Sequence, residues 1–543
     1  MLQTPFTITE SRLIRQWLDG CIGDHPQCHS HNQSPTLPTR VIDVGSETME
    51  PFLHVSSGEN APFVALSHCW GDPKNRPMIT TMATLDTHTK CIPLATFPPT
   101  FRDAILVTRM LGVRYIWVDS LCIIQDSTED WELESAAMTA IYHDAILTIS
   151  ADAAPDSTHG LFGPVGSRKF PDNIPVQLDE DGNGSVFVRE RPWHPIHASE
   201  MFHTSKLQKE GPLFNRAWVL QEWLLSRRIA RFASGELFWE CNAAICCECQ
   251  VQTQALSGDS HQLSQLPWAL RPYSKAHFFS LQGNGNKEPK LLWPVVVEEF
   301  TLRNITKVED RLPAVSGLAA SMTKDPGLYL CGHWRSELPG SLLWQRSTET
   351  LSEEPSRRIS PDYAPTWSWA SITGIVVCGP SNTTQQSRWM VSESMLTCTV
   401  VEAKMTLATT NPFGPAASGH LKIKGFFGVL PVDWITRYCT LASQHLELLG
   451  KDKISLGSGD IITDTNDKLP VFDRSMKVYY LVIGESRVSD DPEALNGLLL
   501  TEKSNDIHRT FERVATFCLW RWRPRWQVEP FLSRTFVHTV TIV

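Results

Sequence analysis

The chain has 543 residues, of which 42% are hydrophobic and 20% charged, and its 49 basic and 59 acidic residues give a formal net charge of −10. This length predicts two or more domains with cores of their own, and the composition excludes a disordered protein. The sequence has no dense run of Lys and Arg, and no stretch approaches the ~18 apolar residues of a membrane span, so neither nucleic acid nor a membrane is an expected partner.

The first twenty residues, MLQTPFTITESRLIRQWLDG, lack the basic segment and apolar run of a secretory signal. We therefore expect a cytoplasmic protein, in which the 14 cysteines are reduced thiols rather than a disulfide framework. Within this segment, the apolar residues of 8–19 predict a short amphipathic helix.

Two cysteine clusters raise the question of a metal site. In the first, which follows the helix, Cys21, His25 and Cys28 have ligand-like spacing, and His29 or His31 is available as a fourth ligand. The second comprises Cys241, Cys246, Cys247 and Cys249. A structural zinc ion needs four converging ligands, and neither cluster matches a familiar zinc-finger spacing. The sequence therefore favours packed thiols and assigns no metal ligand, with zinc at either cluster as the alternative.

Strands and helices alternate from Phe63 onward. Apolar runs predict strands at 63–66, 114–118 and 146–150. The first connection contains a helix between Thr100 and Gly112. The second contains a helix whose start is marked by the capping pair Ser127 and Asp130. Strands joined through helices pair in parallel, so this part predicts an α/β layer fold with a parallel sheet.

Two of these strands stop abruptly at polar side chains. FVALSHCWGDP carries Ser67, His68, Cys69 and Trp70, and YIWVDSLCIIQD carries Asp119, Cys122 and Gln125. Ligands bind beyond the carboxyl ends of parallel strands, so the two clusters are expected to share a site. Ser67 and His68 are not expected to form a dyad, because consecutive strand residues point to opposite faces. A Cys/His mechanism using Cys69 or Cys122 with His68 is an alternative, against which stands the frequency of inert buried thiols.

The rest of the chain divides into further segments. NRAWVLQEWLLSRR predicts a helix and RIARFASGELFWEC a hairpin; VEDRLPAVSGLAASM predicts one more helix, and WSWAS a core strand. Period-two alternation after about residue 360 predicts a largely β region. The predicted organisation is a lead-in at 1–50, an α/β domain at 51–245, a linker at 246–290 and a mixed to mostly β region at 291–543.

Several ordered blocks resemble the heterokaryon incompatibility (HET) domain of filamentous fungi. They are LSHCWG, then TFRDAILVTRMLGVRYIWVDSLCIIQDSTEDWELESAAMTAIYHDAILTISA, then GLF and NRAWVLQEWLLSRRIARF. The resemblance covers roughly residues 60–240. It implies a flavodoxin-like α/β fold distantly related to TIR domains, and a role in nonself recognition and programmed cell death. Some TIR domains cleave NAD with one essential glutamate, whereas others assemble without catalysis, and some HET proteins belong to gene clusters of secondary metabolism.

The segment Trp218-Val219-Leu220-Gln221-Glu222 is similar to the helix that carries the catalytic glutamate of plant TIR domains. The resemblance implies that Glu222 is catalytic, that Trp218 lines the same face, and that Asp119 and the Ser67–Cys69 loop position a small-molecule ligand, with NAD as a candidate substrate. The alternative is an ion pair of Glu222 with a nearby arginine. Three functions remain open: NAD hydrolysis in incompatibility, a biosynthetic activity, and a non-catalytic adaptor that forms homo-oligomers.

Overall fold

The computed structural model divides the chain into two compact units, residues 1–285 and 286–543, and this division lies inside the predicted 246–290 linker. The described residues are 5–29, 34–162, 172–179, 182–188, 211–234, 236–248, 253–254, 275, 289–347, 356–360, 362–379, 396–429, 453–455, 459–465, 477–488, 491–503, 509–520 and 536–543.

The first unit is an α/β layer structure. Its described helices are α1 (Pro5–Asp24), α2 (Leu85–Lys90), α3 (Pro99–Met110), α4 (Asp119–Cys122), α5 (Thr128–Asp144) and α6 (Ala217–Leu225). Its strands are β1 (Arg40–Asp43), β2 (Phe52–Val55), β3 (Phe63–Ser67), β4 (Tyr115–Val118), β5 (Leu147–Ser150), β6 (Asp172–Asp179), β7 (Gly182–Val188), β8 (Arg228–Phe232), β9 (Leu237–Cys241), β10 (Ala244–Cys247) and β11 (Thr253–Gln254).

Four parallel strands form the middle of a nine-stranded sheet. In space they lie in the order β4, β3, β5, β8, and every residue of the four is buried. Taken in chain order this arrangement is 2-1-3-4, the strand order of flavodoxin-like doubly wound folds. The predicted α/β fold with parallel strands is therefore confirmed, and the near-continuous apolar sequence of these strands reflects their burial on both faces.

Antiparallel strands extend this sheet on both sides, so it is mixed rather than wholly parallel. β1 and β2 continue it beyond β4, and β9, β10 and β11 continue it beyond β8. The predicted hairpin at RIARFASGELFWEC forms the β8–β9 pair. Strands β6 and β7 form a separate two-stranded sheet.

Local sequence signals fix the helices that connect the parallel strands. Ser127 caps α5 by accepting a hydrogen bond from the backbone N–H of Asp130, as its capping pattern predicts. Pro99 begins α3, and Gly112, with φ +67°, follows its end. The right-handed crossover rule places α3 on one face of the sheet and α5 and α6 on the other. Helix α1 packs against α3, and α5 packs against α6.

The second unit is largely β, as predicted. Its described helices are α7 (Pro289–Thr301) and α8 (Pro313–Met322). Its strands are β12 (Tyr329–Leu330), β13 (His333–Trp334), β14 (Gln345–Arg346), β15 (Val376–Val377), β16 (Thr399–Leu407), β17 (Ala416–Val429), β18 (Lys453–Ser455), β19 (Gly459–Thr463), β20 (Val478–Val488), β21 (Asp491–Glu502), β22 (Thr510–Trp520) and β23 (Phe536–Ile542).

Five strands of the second unit pair with one another in a closed ring. β17, β20, β21 and β22 are successive neighbours, and β23 pairs with both β22 and β17. This closure removes free edges from the five strands of the ring. The WSWAS segment is buried as expected, but the expected strand is wrong, because residues Trp369–Ser371 form a 3₁₀ turn capped by the Ser368 hydroxyl.

None of the helices in the described parts of the chain combines the length and the apolar character needed to cross a membrane.

Ile116 tests the architecture of the first unit. It is fully buried in β4, where it lies opposite Val64 of β3 and Ile42 of β1. We expect Ile116→Asp to abolish cooperative folding of this unit, because the carboxylate would be buried without a partner. Circular dichroism and thermal melting measure this, with Leu133→Asp on the exposed face of α5 as the control. An Ile116→Asp protein that melts cooperatively at the wild-type temperature would contradict the sheet described above.

Candidate active site

The carboxyl ends of β3 and β4 meet through their side chains. Nε2 of His68, just after β3, lies 2.9 Å from Oδ1 of Asp119, just after β4. The indole N–H of Trp70 donates to Oδ2 of Asp119 at 2.7 Å, and the backbone N–H of Ser120 donates to Oδ1 at 2.7 Å. The structure thus brings the two polar clusters of the sequence together at one edge of the parallel sheet.

His68 is held from several sides. Its Nδ1 lies 3.0 Å from the carbonyl oxygen of Cys69, and its ring packs edge-on against Phe101 of α3 at 4.8 Å between centroids. Both ring nitrogens therefore lie within hydrogen-bonding distance of an oxygen atom, and these two contacts fix the orientation of the ring. His68 is buried, whereas the side chain of Asp119 is 19% exposed. Asp119 is consequently the part of this pair that a ligand reaches first.

Glu222 occupies the other face of the β3 end. The Ser67 hydroxyl donates a hydrogen bond to Oε2 of Glu222, which projects from α6 and is only 6% exposed. The hydroxyl of Tyr142 on α5 hydrogen-bonds the same carboxylate and the carbonyl oxygen of Leu66, the latter at 3.3 Å. Ser67 and His68 point to opposite faces of the sheet, as strand geometry requires, and each contacts a different carboxylate.

The two carboxylates have opposite electrostatic environments. Burial raises the pKa of Glu222, and the nearby negative charge of Asp119 raises it further, against the Ser67 hydrogen bond and the charges of Arg216 and His68. Burial also opposes ionisation of Asp119, but the charge and hydrogen bond of His68, together with the Trp70 hydrogen bond, outweigh it and lower the pKa of Asp119. Two carboxyl groups whose pKa values are driven apart can keep different protonation states at the same pH, so that one is the acid or base while the other stays ionised.

Arg216 joins the site from the residue before α6. Its guanidinium donates to the carbonyl oxygen of His68 at 2.5 Å, and its charge acts on Glu222 and Asp119. Gly71, with φ +73°, turns the chain after Trp70, and a Cβ atom there would lie 2.6 Å from Cβ of Asp156. The loop after β3 is therefore fixed both by Arg216 and by a glycine that no larger residue replaces without strain.

The site cysteines lie in environments that suppress thiolate formation. Burial raises the pKa of both Cys69 and Cys122 to about 12. The Cys122 sulfur accepts a hydrogen bond from the backbone N–H of Val118 at 3.5 Å, and Cys69 packs with Leu213 and Val219. A catalytic role of Cys122 stays a prediction, and the chemistry proposed below uses the carboxylates.

Gln125 and Trp218 lie at the margin of the site. The Gln125 amide donates to the carbonyl oxygens of Asp119 and Ile123, at 3.2 and 3.0 Å, and so braces the loop after β4. Trp218 is half-buried one turn before Glu222 on α6. Ligand binding by these residues remains a prediction.

Tyr142 and Arg216 belong to the site in the structure but were not predicted as site residues from the sequence. Tyr142 belongs to the apolar face of α5, so its sequence pattern indicates only a core residue. The packing of α5 against α6 brings its hydroxyl group to Glu222. From the sequence, a nearby arginine is expected only as an ion-pair partner of Glu222, and the contact of Arg216 with the carbonyl oxygen of His68 has no signal in the sequence. The one sequence feature that could have identified Arg216 as a site residue is its position directly before the helix that contains Trp218 and Glu222.

The first unit is thus an α/β domain of the doubly wound type, with a two-carboxylate site where β3 and β4 end. Residues 63–222 match the family described as heterokaryon incompatibility protein (HET), and the match runs from the first residue of β3 to Glu222. This part of the chain is a HET domain, which indicates a function of the heterokaryon incompatibility type. No curated protein and no solved structure shows significant similarity to the chain.

The environment of Glu222 predicts a distinct pH dependence of stability. Because the folded-state pKa lies above the unfolded value of about 4.3, its ionisation destabilises the native state as pH rises through this interval. We expect Glu222→Gln, which keeps an oxygen acceptor for Ser67, to gain melting temperature relative to wild type as pH rises above the unfolded-state value of about 4.3. Melting curves from pH 4 to 8 measure the difference, and a difference that stays constant with pH would contradict the raised pKa.

Asp119→Asn should behave in the opposite way. The lowered folded-state pKa means that the Asp119 carboxylate contributes stability above its unfolded pKa of about 3.9, and that this contribution is lost as pH falls through the folded value. We expect the asparagine variant to be less stable at pH 7 by about 1.5–3 kcal/mol, the usual contribution of a hydrogen bond to a charged group. The deficit should shrink as pH falls below about 4 in denaturant titrations.

Proposed function

We propose that the HET domain hydrolyses the N-glycosidic bond between the ribose and the positively charged nicotinamide ring of NAD, and that this activity underlies an incompatibility response of the cell. The observation that carries the proposal is the pair of carboxyl groups at the β3 end, one with a raised and one with a lowered pKa. Glycosidic cleavage passes through an oxocarbenium-like transition state, which a pair of carboxyl groups stabilises and resolves. The resemblance of the Glu222 helix to the catalytic helix of TIR domains supports the same reaction.

The electron and proton balance of this reaction fits the two groups. Cleavage of the bond between the ribose and nicotinamide releases neutral nicotinamide, with the bonding pair leaving on the ring nitrogen, and water adds to the ribose to give ADP-ribose and one proton. The leaving group requires no general acid. The reaction instead requires negative charge near the developing cation and a base for the attacking water, and these are the roles that we assign to Asp119 and Glu222.

Glu222 is suited to the role of base because its pKa is raised. A base with a pKa near the working pH accepts a proton more effectively than an ordinary carboxylate. The approach of a cationic nicotinamide ring lowers the pKa again, since an opposite charge favours the ionised form. The Ser67 hydroxyl and the Tyr142 hydroxyl hold the carboxylate in one orientation.

The neighbouring side chains suit the remaining parts of the ligand. Asp119, Trp70 and Arg216 are only partly buried, so that a ligand from solvent can contact them. An arginine guanidinium suits pyrophosphate oxygens, and an indole suits the face of a heterocycle. We assign these roles to Arg216 and Trp70.

The first test is release of nicotinamide from NAD by the purified full-length protein, followed by chromatography. We expect Glu222→Gln to reduce the rate by about 10²–10⁴-fold, the usual contribution of a general base, while the protein keeps its cooperative melting transition. Glu132→Gln, on the exposed face of α5, is the matched control and should keep wild-type activity.

Other outcomes separate the alternative functions. Wild-type protein that releases no nicotinamide, but in which a small molecule raises the melting temperature of wild type and not of Asp119→Asn, would favour a biosynthetic activity at the same site. Protein with neither property that forms homo-oligomers in light scattering would favour the adaptor. Equal nicotinamide release by wild type and Glu222→Gln would exclude the proposed role of Glu222.

A further inference from the structure

A second cluster of reactive side chains lies away from the β3 end, where α1 and the turn after it meet the end of β9. Cys21, His25 and Cys28 come from the N-terminal segment, and Cys241 comes from the end of β9. Their ligand atoms all lie within 4.8 Å of one another, and Nδ1 of His25 is 3.4 Å from the Cys241 sulfur. Two segments more than 200 residues apart in sequence thus direct three thiols and one imidazole at a common point.

The donor set and its size fit one particular metal. In a tetrahedral zinc site, bonds of 2.3 Å to sulfur and 2.0–2.1 Å to nitrogen separate the ligand atoms by about 3.5–3.8 Å, and three cysteines with one histidine form a common structural set. Soft thiolates with one imidazole select zinc over magnesium or calcium. The three sulfur atoms belong to free cysteines, so no disulfide within the cluster competes for them.

Hydrogen-bond donors around the cluster favour negatively charged sulfur. The backbone N–H groups of Ala243 and Ala244 donate to the Cys241 sulfur at 3.4 and 3.2 Å. Nε of Arg228 donates to the Cys21 sulfur at 3.3 Å, while its Nη2 donates to the carbonyl oxygen of Cys28 at 2.7 Å. Donors of this kind orient thiolate ligands and offset the net negative charge of a zinc ion bound by three thiolates.

This cluster combines residues from the two cysteine clusters that the sequence suggested as separate zinc sites. His29, one candidate for the fourth ligand, instead contacts the carbonyl oxygen of Ile22 at 2.8 Å, and His31 lies outside the described residues. In the second cysteine cluster Cys246 is only half-buried and Cys247 is disulfide-bonded, while Cys249 lies outside the described residues. Cys241 therefore lies with Cys21, His25 and Cys28 and not with the other cysteines of the second cluster.

We propose that Cys21, His25, Cys28 and Cys241 bind one structural zinc ion that clamps the N-terminal helix onto the end of β9 in the nine-stranded sheet. All four positions are provided by the protein, so the ion has no open coordination site and serves stability rather than catalysis. Cys21, Cys28 and Cys241 are fully buried, and only the half-exposed His25 lies toward solvent. The clamp joins segments that are distant in the chain, so the bound ion adds directly to folding stability.

The experiment measures metal content and does not depend on enzymatic activity. Untagged full-length protein, produced with zinc in the medium, is analysed by plasma mass spectrometry, and we expect about one zinc ion per chain. Cys241→Ser should lose most of the zinc, whereas Cys246→Ser, a nearby cysteine outside the cluster, should keep it. A zinc chelator added to wild type should lower the melting temperature by several degrees and leave that of metal-free protein unchanged.

Variants of His25 provide the second part of the experiment. His25 is the one proposed ligand that is not fully buried, so its variants are expected to fold. His25→Ala should bind zinc more weakly, and His25→Cys should restore binding. In cobalt-substituted protein, His25→Cys should strengthen the thiolate-to-metal absorption relative to wild type. Wild-type protein that carries no zinc, a Cys241→Ser variant that keeps it, or identical cobalt spectra for wild type and His25→Cys would each overturn the proposed ligand set.

Discussion

The parallel pairing of β3 between β4 and β5 is the constraint on which the candidate site depends. It fixes Leu66 opposite Val118 and Ile149, so that the chain leaves β3 and β4 at the same level of the sheet. Because side chains alternate along a strand, the next two residues, Ser67 and His68, face opposite layers of helices. One strand end therefore presents one hydrogen-bonding group to each of two carboxylates. Neither contact survives a shift of register by one residue, since that would exchange the two faces.

The environment of Glu222 is unfavourable for stability, because a carboxyl group whose pKa is raised on folding destabilises the native state when it ionises. Helix α6 is buried along most of its length, with Val219, Leu220, Trp223 and Leu224 in the core, and a glutamate in this helix is out of place as a packing residue. The surrounding groups compensate only in part, because the Ser67 hydrogen bond and the Arg216 charge do not cancel the effect of burial on the pKa. A carboxyl group kept in such an environment is more consistent with a functional site than with a surface ion pair.

The sequence predicted the features that depend on short-range patterns. The three parallel strands, the Ser127 cap and the polar ends of β3 and β4 are all encoded within a few residues of where they occur. Period-two alternation likewise predicted the β-rich second unit. Among the antiparallel strands that extend the sheet of the first unit, β9 was predicted as part of a hairpin, whereas β1, β2 and β10 were not, because each has only four residues and carries no strong pattern. WSWAS was wrongly expected to be a strand. Its alternation of large and small residues indicates that the segment is buried but does not specify its backbone conformation, which is a 3₁₀ turn capped by Ser368.

What the sequence could not predict are contacts between segments far apart in the chain. The approach of Cys241 to Cys21 and Cys28 depends on the antiparallel pairing of β8 and β9 and on the packing of α1 against β9. Each cysteine cluster seen alone is an incomplete ligand set, so spacing rules applied to either one favour packed thiols. Arg228 connects the two segments, because it lies in β8 opposite Cys241 and donates to the Cys21 sulfur and to the carbonyl oxygen of Cys28. The sheet that aligns the polar residues at the β3 end therefore also completes the cysteine cluster, and the two sites have one structural origin.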